Sequence, residues 1–187
     1  MFKLNKKEAE YYLIKIFDFI ENGDSKFKGH PGLYFFHTKT ELKEKINELL
    51  SENEYDEFDL YYITSLLIKF MLGRYDSHTK VSFKDNIYIP IDFTAEENSL
   101  YIANITPIYK KIIGCKLLKI NNIDIQKILC ELEEIICYST KEHLLVMIQS
   151  FLSDVNVLKS LPSIENNTKE FIYTILNDNN EKENITF

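Results

Sequence analysis

The chain has 187 residues, of which 45% are hydrophobic and 13% are aromatic, enough to fill a packed core and to exclude intrinsic disorder. Its formal net charge of −7 argues against nucleic-acid binding and against adsorption to anionic lipid, because both depend on clustered lysine and arginine. The amino-terminal stretch through Gly23 begins with basic and apolar residues, but acidic residues interrupt it and no small-residue cleavage site follows. We therefore predict a mature, cytoplasmic chain.

The cysteine and histidine side chains do not form a metal-binding pattern. Cys115, Cys130 and Cys137 are odd in number, the chain has no Cys-x-x-Cys pair, and its four histidines are scattered. We therefore predict reduced thiols, buried as small apolar side chains, and neither a metal nor another cofactor.

The first part of the chain has the apolar spacing of helices. From Lys6 to Glu21, apolar side chains recur at intervals of three and four, which predicts an amphipathic helix. Thr38 and Glu41 have the spacing of a capping box and predict the start of a second helix, which ends near Ser51. The side chains predicted to face inward are Ala9, Tyr12, Leu13, Ile16, Phe17 and Ile20 in the first helix and Leu42, Ile46, Leu49 and Leu50 in the second.

The stretch from Phe58 to Leu72 is apolar on nearly every face, so the helix it predicts must be surrounded by protein or by lipid. It is too short and, with Asp59 and Lys69, too polar to span a bilayer, which requires about 20 apolar residues. We predict a buried central helix, capped by Asp56 and ended by Gly73, that completes a bundle of three helices.

After His78 the periodicity changes to that of strands. Pro90 favours an edge or bulged position for the first strand, and turns are predicted at Glu96–Ser99 and Asn121–Asn122. The last predicted strand runs to the final residue, which favours a piece of a longer protein, with a natural terminus as the alternative. The predicted strands are Ile87–Phe93, Leu100–Ile105, Lys116–Ile120, Glu170–Leu176 and Ile185–Phe187.

Two further helices are predicted within this second part. The first has an apolar face from Ile125 to Ile136, and the second opens with a capping box at Ser139 and Glu142 and runs to about Leu152. The Lys110–Lys111 pair is interpreted as a turn that is too small for a phosphate site. Three acidic residues of the first helix are expected to be solvated: Glu131, Glu133 and Glu134.

Four segments, in this order, resemble the front half of the tail-specific (carboxyl-terminal processing) serine peptidase family, which includes the tricorn peptidases. They are HPGLYFFHTKTEL from His30, DSHT from Asp76, IPIDF from Ile89 and GCKLLKINNIDIQKIL from Gly114. The last segment is similar to a PDZ signature, with Asn122 where glycine is usual. The resemblance covers most of the chain and implies a helical region followed by a PDZ-like domain, with the catalytic core further along.

The resemblance also implies a role for the corner that follows the central helix. In the tricorn branch a Ser-His pair at the corresponding place supplies the base for a distant serine, which would make His78 the base and Ser77 its polar neighbour. A histidine of pKa near 6.5 accepts a serine proton at neutral pH if it lies within about 3 Å. Asp76 could orient the imidazole. A purely structural corner is the simpler interpretation, because no nucleophilic serine in a glycine-rich turn is present in this sequence.

Peptide binding is the second activity that the resemblance implies. PDZ domains add a peptide strand to a sheet edge and hold its terminal carboxylate in a nest of backbone amides. The loop Thr94–Ser99 has no glycine and two carboxylates, which disfavours carboxylate capture there. Strand addition along Leu100–Ile105 remains open, with Leu100, Ile102 and Asn104 as the candidate peptide-binding residues, and a purely structural sheet is the alternative.

The sequence therefore predicts an α+β chain: a three-helix bundle over residues 1–79 and a PDZ-like small sheet or barrel domain with two or more helices over residues 80–187. The leading hypothesis is a non-catalytic amino-terminal portion that presents a peptide or protein segment to a downstream catalytic domain, with no complete active site of its own. The alternative is a stand-alone peptide- or protein-binding module.

Overall fold

The chain forms two compact units that mix helices with antiparallel strands. The first comprises Met1–Ser82 together with Ile135–Ser139, and the second comprises Phe83–Glu134 together with Thr140–Phe187. The predicted boundary after Thr79 falls at the edge of a stretch outside the described residues, so it stays a prediction. The computed structural model describes residues 3–22, 39–51, 57–72, 80–97, 99–165 and 167–187.

In the described part of the first unit, three helices share one hydrophobic core. They are α1 (Lys6–Asn22), α2 (Lys39–Ser51) and α3 (Leu60–Leu72), and two short strands, β1 (Lys3–Leu4) and β2 (Phe58–Asp59), pair antiparallel beside them. Their spans confirm the predicted helices to within two residues. The core includes Ala9, Leu13, Phe17, Ile46, Leu49, Leu50, Ile63, Leu67, Ile68 and Met71.

Helix α1 begins with a capping box that the spacing analysis missed. Asn5 N donates to Glu8 Oε2 at 2.9 Å, and Glu8 N donates to Asn5 Oδ1 at 3.1 Å. The prediction that Tyr12 faces inward is wrong, because Tyr12 is 43% exposed. It lies at the margin of the stripe formed by Ala9, Leu13 and Phe17, where its ring can cover apolar surface while its hydroxyl stays in water.

Helix α3 is covered by protein on every side, as predicted. No residue from Leu60 to Met71 is exposed, which confirms a buried central helix. It begins two residues later than predicted because Phe58 and Asp59 pair with β1. Asp59 Oδ1 caps the helix by accepting a hydrogen bond from Tyr62 N at 3.2 Å. The predicted cap, Asp56, lies outside the described residues.

The first unit is completed by five residues from later in the chain, Ile135–Ser139. Cys137 belongs to the same hydrophobic core as the three helices. The Lys69 ammonium of α3 lies 5.1 Å from the centroid of the Tyr138 ring, a cation–π distance. The first unit is thus built from two separate parts of the sequence, one before Phe83 and one after Glu134.

An antiparallel sheet is the frame of the second unit. Among the described residues its strand order is β3-β4-β5-β7-β8, and β6 pairs with β5. The prediction of strand Lys116–Ile120 is confirmed residue for residue, and Asn121 and Asn122 turn after it with φ of 49° and 65°. The strands are β3 (Ile91–Glu96), β4 (Ser99–Ile105), β5 (Lys116–Ile120), β6 (Ile123–Asp124), β7 (Ile172–Leu176) and β8 (Lys182–Thr186).

The first strand of this sheet is displaced from its predicted position. A strand was predicted over Ile87–Phe93, whereas β3 begins at Ile91. The backbone before it is occupied elsewhere, since Ile89 N donates to Ser153 O at 2.8 Å and Val155 N donates to Ile87 O at 2.9 Å. Pro90 has no N–H to donate to a neighbouring strand. It lies between the residues that pair with the stretch after α5 and those of β3, which pair with β4.

Three α-helices and one 3₁₀ helix accompany the sheet within the described residues: α4 (Ile125–Ile135), α5 (Lys141–Phe151), α6 (Val155–Ser160) and the 3₁₀ helix Pro107–Ile112. The predicted spans of α4 and α5 are confirmed, and the other two helices were not predicted. The capping box at Ser139 is off by one residue, because Thr140 Oγ1 accepts from His143 N at 3.2 Å. In the parts of the chain that are described, no helix has both the length and the apolar character needed to cross a membrane.

Candidate functional site

The predicted catalytic pair, His78 and Ser77, lies outside the described residues, as does Asp76. The structure therefore does not test whether an imidazole stands at the end of α3. The assignment of His78 as a general base stays a prediction.

The three predicted peptide-binding residues lie on β4 in two different environments. Leu100 and Ile102 are 3% and 1% exposed and belong to the core. Asn104 is exposed, and its Nδ2 donates to Asp92 Oδ2 at 3.1 Å. In the sheet, β4 lies between β3 and β5 rather than at an edge. Peptide binding along β4 stays a prediction, and of its three residues the structure places only Asn104 at an open cavity.

That cavity lies where β3 begins and β4 ends, and we call it the strand-end pocket. It has a volume of about 650 Å³ and opens to solvent. The segment before β3, the loop after β4, and the last turn of α5 with the residues after it form its walls. The lining residues are Tyr88, Ile89, Pro90, Ile91, Asp92, Asn104, Ile105, Thr106, Pro107, Lys110, Ser150 and Ser153.

The chain segment before β3 is fixed against the stretch that follows α5. Tyr88 forms an isolated antiparallel bridge with Asp154. Asp154 is 3% exposed, and its carboxylate caps α6 by accepting from Asn156 N at 2.9 Å and Val157 N at 3.3 Å. The helix cap and the strand bridge thus hold one wall of the pocket in a defined position.

Ser153 is a largely buried residue at the wall of the pocket. The residue is 6% exposed and lines the cavity. Its backbone oxygen accepts from Ile89 N, but its hydroxyl has no protein partner within the described part of the chain. The hydroxyl is thus available to water or to a ligand in the open cavity.

Polar and charged side chains line the same pocket, with Asp92 and Lys110 supplying opposite charges. Ser150 donates its own proton to Met147 O at 2.8 Å. Tyr88 accepts from Asn86 Nδ2 at 2.8 Å, and Lys110 lies on the 3₁₀ helix at the pocket wall. No group of His, Cys, Asp and Glu side chains suited to a metal ion occurs among the residues that the structure describes. The arrangement is that of a small binding pocket with hydrogen-bonding groups.

Sequence reasoning found Asn104 but missed the other polar residues of the pocket. Lys110 was interpreted as half of a turn pair, and Ser150 and Ser153 had no local signal because α5, α6 and β3 come together only in the folded chain. The one available hint was Asp154, a good helix-capping residue before an apolar segment.

The structure thus defines a protein of mixed helices and antiparallel strands whose second unit carries an open pocket at the end of two strands. The sequence matches no family model, and no curated protein matches it significantly. In fold it is similar to crystal structures of CPAF: mature CPAF, with a TM-score of 0.64, and mature CPAF complexed with lactacystin, with 0.62. A serine-to-alanine mutant of CPAF gives 0.61.

The likeness to CPAF extends over nearly the whole of this chain but only part of CPAF. Each match has 14% sequence identity and covers 97% of this chain. It covers 34% of mature CPAF, alone or with lactacystin, and 33% of the mutant. The chain therefore spans about a third of the length of the CPAF chains, and at this identity the similarity is one of fold.

Proposed function

We propose that this chain is the amino-terminal, non-catalytic portion of a tail-specific-peptidase-like protein and that it presents a peptide segment to a catalytic core further along. The observation that carries the proposal is the fold similarity to CPAF, which covers 97% of this chain and about a third of CPAF. A chain that reproduces only part of such a protein leaves room for a separate catalytic region.

In this proposal residues 1–79 act as a three-helix bundle and residues 80–187 as a PDZ-like domain of a cytoplasmic protein. Two features support the second assignment: the sheet is antiparallel, and α5 packs against β3, its first strand. A strand flanked by a helix is the setting in which PDZ domains bind extended peptides. The binding surface is then the strand-end pocket, reached through Asn104, with Leu100 and Ile102 supporting it from the core.

The test is labelling by a fluorophosphonate probe, which reacts with activated serines. Residues 1–187 alone should remain unlabelled, and the same chain extended by the region its gene encodes downstream should be labelled. In the extended protein, His78→Ala should reduce labelling if the imidazole is the base, and His143→Ala is the matched control. Labelling of residues 1–187 alone, or none in the extended protein, would contradict the proposal.

A stand-alone binding module is the second candidate, and the strand-end pocket favours it because its described walls all come from one unit of this chain. The gene sequence downstream of Phe187 distinguishes the two candidate functions. A downstream α/β segment with a serine in a glycine-rich turn supports the peptidase-like protein, and a stop codon after Phe187 supports the module.

A further inference from the structure

Helix α1 carries large apolar side chains outside the stripe that packs in the core. Ten large apolar side chains are exposed among the described residues, and four of them lie on this one helix: Tyr11, Tyr12, Ile14 and Phe19. Tyr11 is 58% exposed and Phe19 is 61% exposed. Exposed apolar residues that are scattered singly are ordinary, whereas several on one element, aromatic ones above all, are typical of a surface that binds another protein.

One of these residues, Ile14, lies in a groove between α1 and α2, which we call the α1–α2 groove. The groove has a volume of about 350 Å³. This is at the lower end of the range for small-ligand pockets, which suits side chains of a partner better than a large cofactor. Its apolar floor is Ile14 together with the buried side chains of Phe17 and Ile46. Its polar rim consists of four exposed residues: Glu10, Asp18, Lys43 and Asn47.

Negative charge predominates at this rim. Glu10, Ile14 and Asp18 are spaced four residues apart and form one stripe along α1, with the outer two Cα atoms about 12 Å apart at 1.5 Å per residue. Neither carboxylate makes a hydrogen bond or an ion pair with another described residue. Lys43 is the only basic residue of the described lining, so two carboxylates and one ammonium leave one negative charge in excess. The complementary ligand is a group with one positive charge and an apolar part.

Lysine and arginine side chains have this composition, because an apolar stem carries the charged head. We propose that the α1–α2 groove and the adjoining apolar surface of α1 bind a segment of a partner protein in which a lysine or arginine lies beside apolar residues. The stem of the basic side chain contacts Ile14, its charge lies close to Glu10 or Asp18, and its apolar neighbours contact Tyr11. This inference goes beyond the proposed function, since it concerns the first unit and requires neither peptide presentation by the second unit nor a catalytic core.

Four helical peptides of one alanine-based sequence test the preferred charge. Each carries a leucine, a tryptophan for fluorescence and one variable position occupied by lysine, arginine, norleucine or glutamate, and the chain itself has no tryptophan. The lysine peptide, the arginine peptide or both should bind the full chain up to about fivefold more tightly than the norleucine peptide, because an exposed ion pair is worth at most about this factor. The glutamate peptide should bind less tightly than the norleucine peptide. Raising the salt concentration from about 0.05 M to about 0.5 M should reduce the preference, since salt screens exposed charges.

Paired variants assign the preference to the groove. Glu10→Gln combined with Asp18→Asn should abolish the preference for a basic residue. Glu44→Gln combined with Asp85→Asn is the matched control, because it makes the same change in net charge at exposed carboxylates that do not line the groove. The control should keep the preference of the native chain.

Two single variants test the rest of the groove. Lys43→Gln should increase the preference for the basic peptides, because it removes a competing positive charge. Ile14→Ser should weaken the binding of all four peptides, because it removes the apolar contact. Circular dichroism of each variant verifies that the fold is kept.

Equal binding of the four peptides would overturn the inference, and so would a basic preference that survives Glu10→Gln combined with Asp18→Asn. Self-association of the chain that is lost in Ile14→Ser, measured by sedimentation, would overturn it as well, because the occupant would then be a second copy. Failure of every peptide to bind the folded protein at millimolar concentration would also overturn it. The proposed peptide-presenting function, which belongs to the second unit, would stand in each of these cases.

Discussion

Tyr173 has the largest side chain among the fully buried residues of the described chain. Its ring centroid lies 6.0 Å from that of Phe93 and 5.7 Å from that of Phe187. Its hydroxyl donates to Leu152 O at 2.8 Å, and burial raises its pKa well above the ordinary value. A polar atom at the centre of an apolar cluster is tolerated because it has this one partner.

We predict that Tyr173→Phe lowers the free energy of unfolding by about 1–2 kcal/mol, because the buried Leu152 carbonyl loses its donor. Tyr101→Phe is the matched control, since the Tyr101 hydroxyl has no partner in the described residues. It should change stability by less than about 0.5 kcal/mol. Urea denaturation followed by circular dichroism measures both, and equal effects would show that the Tyr173 hydrogen bond contributes nothing.

The contribution of Asp59 to stability falls as the pH rises, which is the reverse of the usual behaviour of a carboxyl group. Burial raises its pKa above 3.8, outweighing the hydrogen bonds from Tyr62 and Tyr61 and the positive charges of the amino terminus and Lys3, all of which lower it. A folded pKa above the unfolded one means that the folded state holds the proton more tightly. The stabilising contribution of protonated Asp59 is complete below the unfolded pKa and is lost as the pH rises through the folded pKa.

We therefore predict that Asp59→Asn gains stability relative to the native chain as the pH rises from about 4 to 7. The asparagine keeps an oxygen for the Tyr62 amide but cannot ionise. Asp124→Asn is the control, because Asp124 also accepts from a helix-start amide, that of Gln126, but is exposed. Denaturation curves at several pH values test this, and a stability difference independent of pH would contradict it.

Helix α3 is the element on which the first unit depends, and it buries one hydroxyl that is not satisfied. Thr64 is 8% exposed, and its Oγ1 is buried without a hydrogen-bond partner in the described structure. Every other position from Leu60 to Met71 is at least partly covered as well. An unsatisfied hydroxyl in such surroundings costs free energy that an apolar group of the same shape would not.

Thr64→Val should accordingly stabilise the protein by up to about 1 kcal/mol, because valine keeps the shape and removes the unsatisfied oxygen. Thr64→Ser keeps the hydroxyl and loses a methyl group, so it should destabilise by about 1 kcal/mol. Thermal and urea unfolding of both variants measure the difference. A loss of stability in Thr64→Val would mean that this hydroxyl is satisfied in solution.

The elements that the sequence predicted well are those whose pattern is local. The apolar run from Leu60 to Met71 predicts a buried helix by itself, and the Asn121–Asn122 pair predicts a turn. Elements set by distant partners were missed: the backbone at Ile87 and Ile89 pairs with residues after α5 instead of extending β3. Glu131 was expected in solvent, yet its Oε2 accepts from Ser163 Oγ at 2.8 Å, and burial raises its pKa. The strand-end pocket has the same origin, since Ser153 becomes part of a site only through tertiary structure.

At the scale of the whole molecule, the segment Ile135–Ser139 belongs to a different compact unit from the residues on either side of it in the sequence. It begins at the last residue of α4, whose other residues belong to the second unit, but it belongs to the first. Four of its residues, Ile135, Ile136, Cys137 and Tyr138, are at most 9% exposed. A division of the chain after residue 79 would separate this segment from the unit to which it belongs.

We predict that a fragment of residues 80–187 unfolds at a lower temperature than the same unit in the full chain and binds a hydrophobic dye, because Ile136, Cys137 and Tyr138 lose their cover. Replacing Ile136 and Tyr138 by glutamine should reduce dye binding by the fragment but destabilise the full chain, where both side chains are buried. Differential scanning calorimetry and dye fluorescence measure the two effects. A fragment as stable as the intact protein would show instead that residues 80–187 fold independently, as the sequence alone predicts.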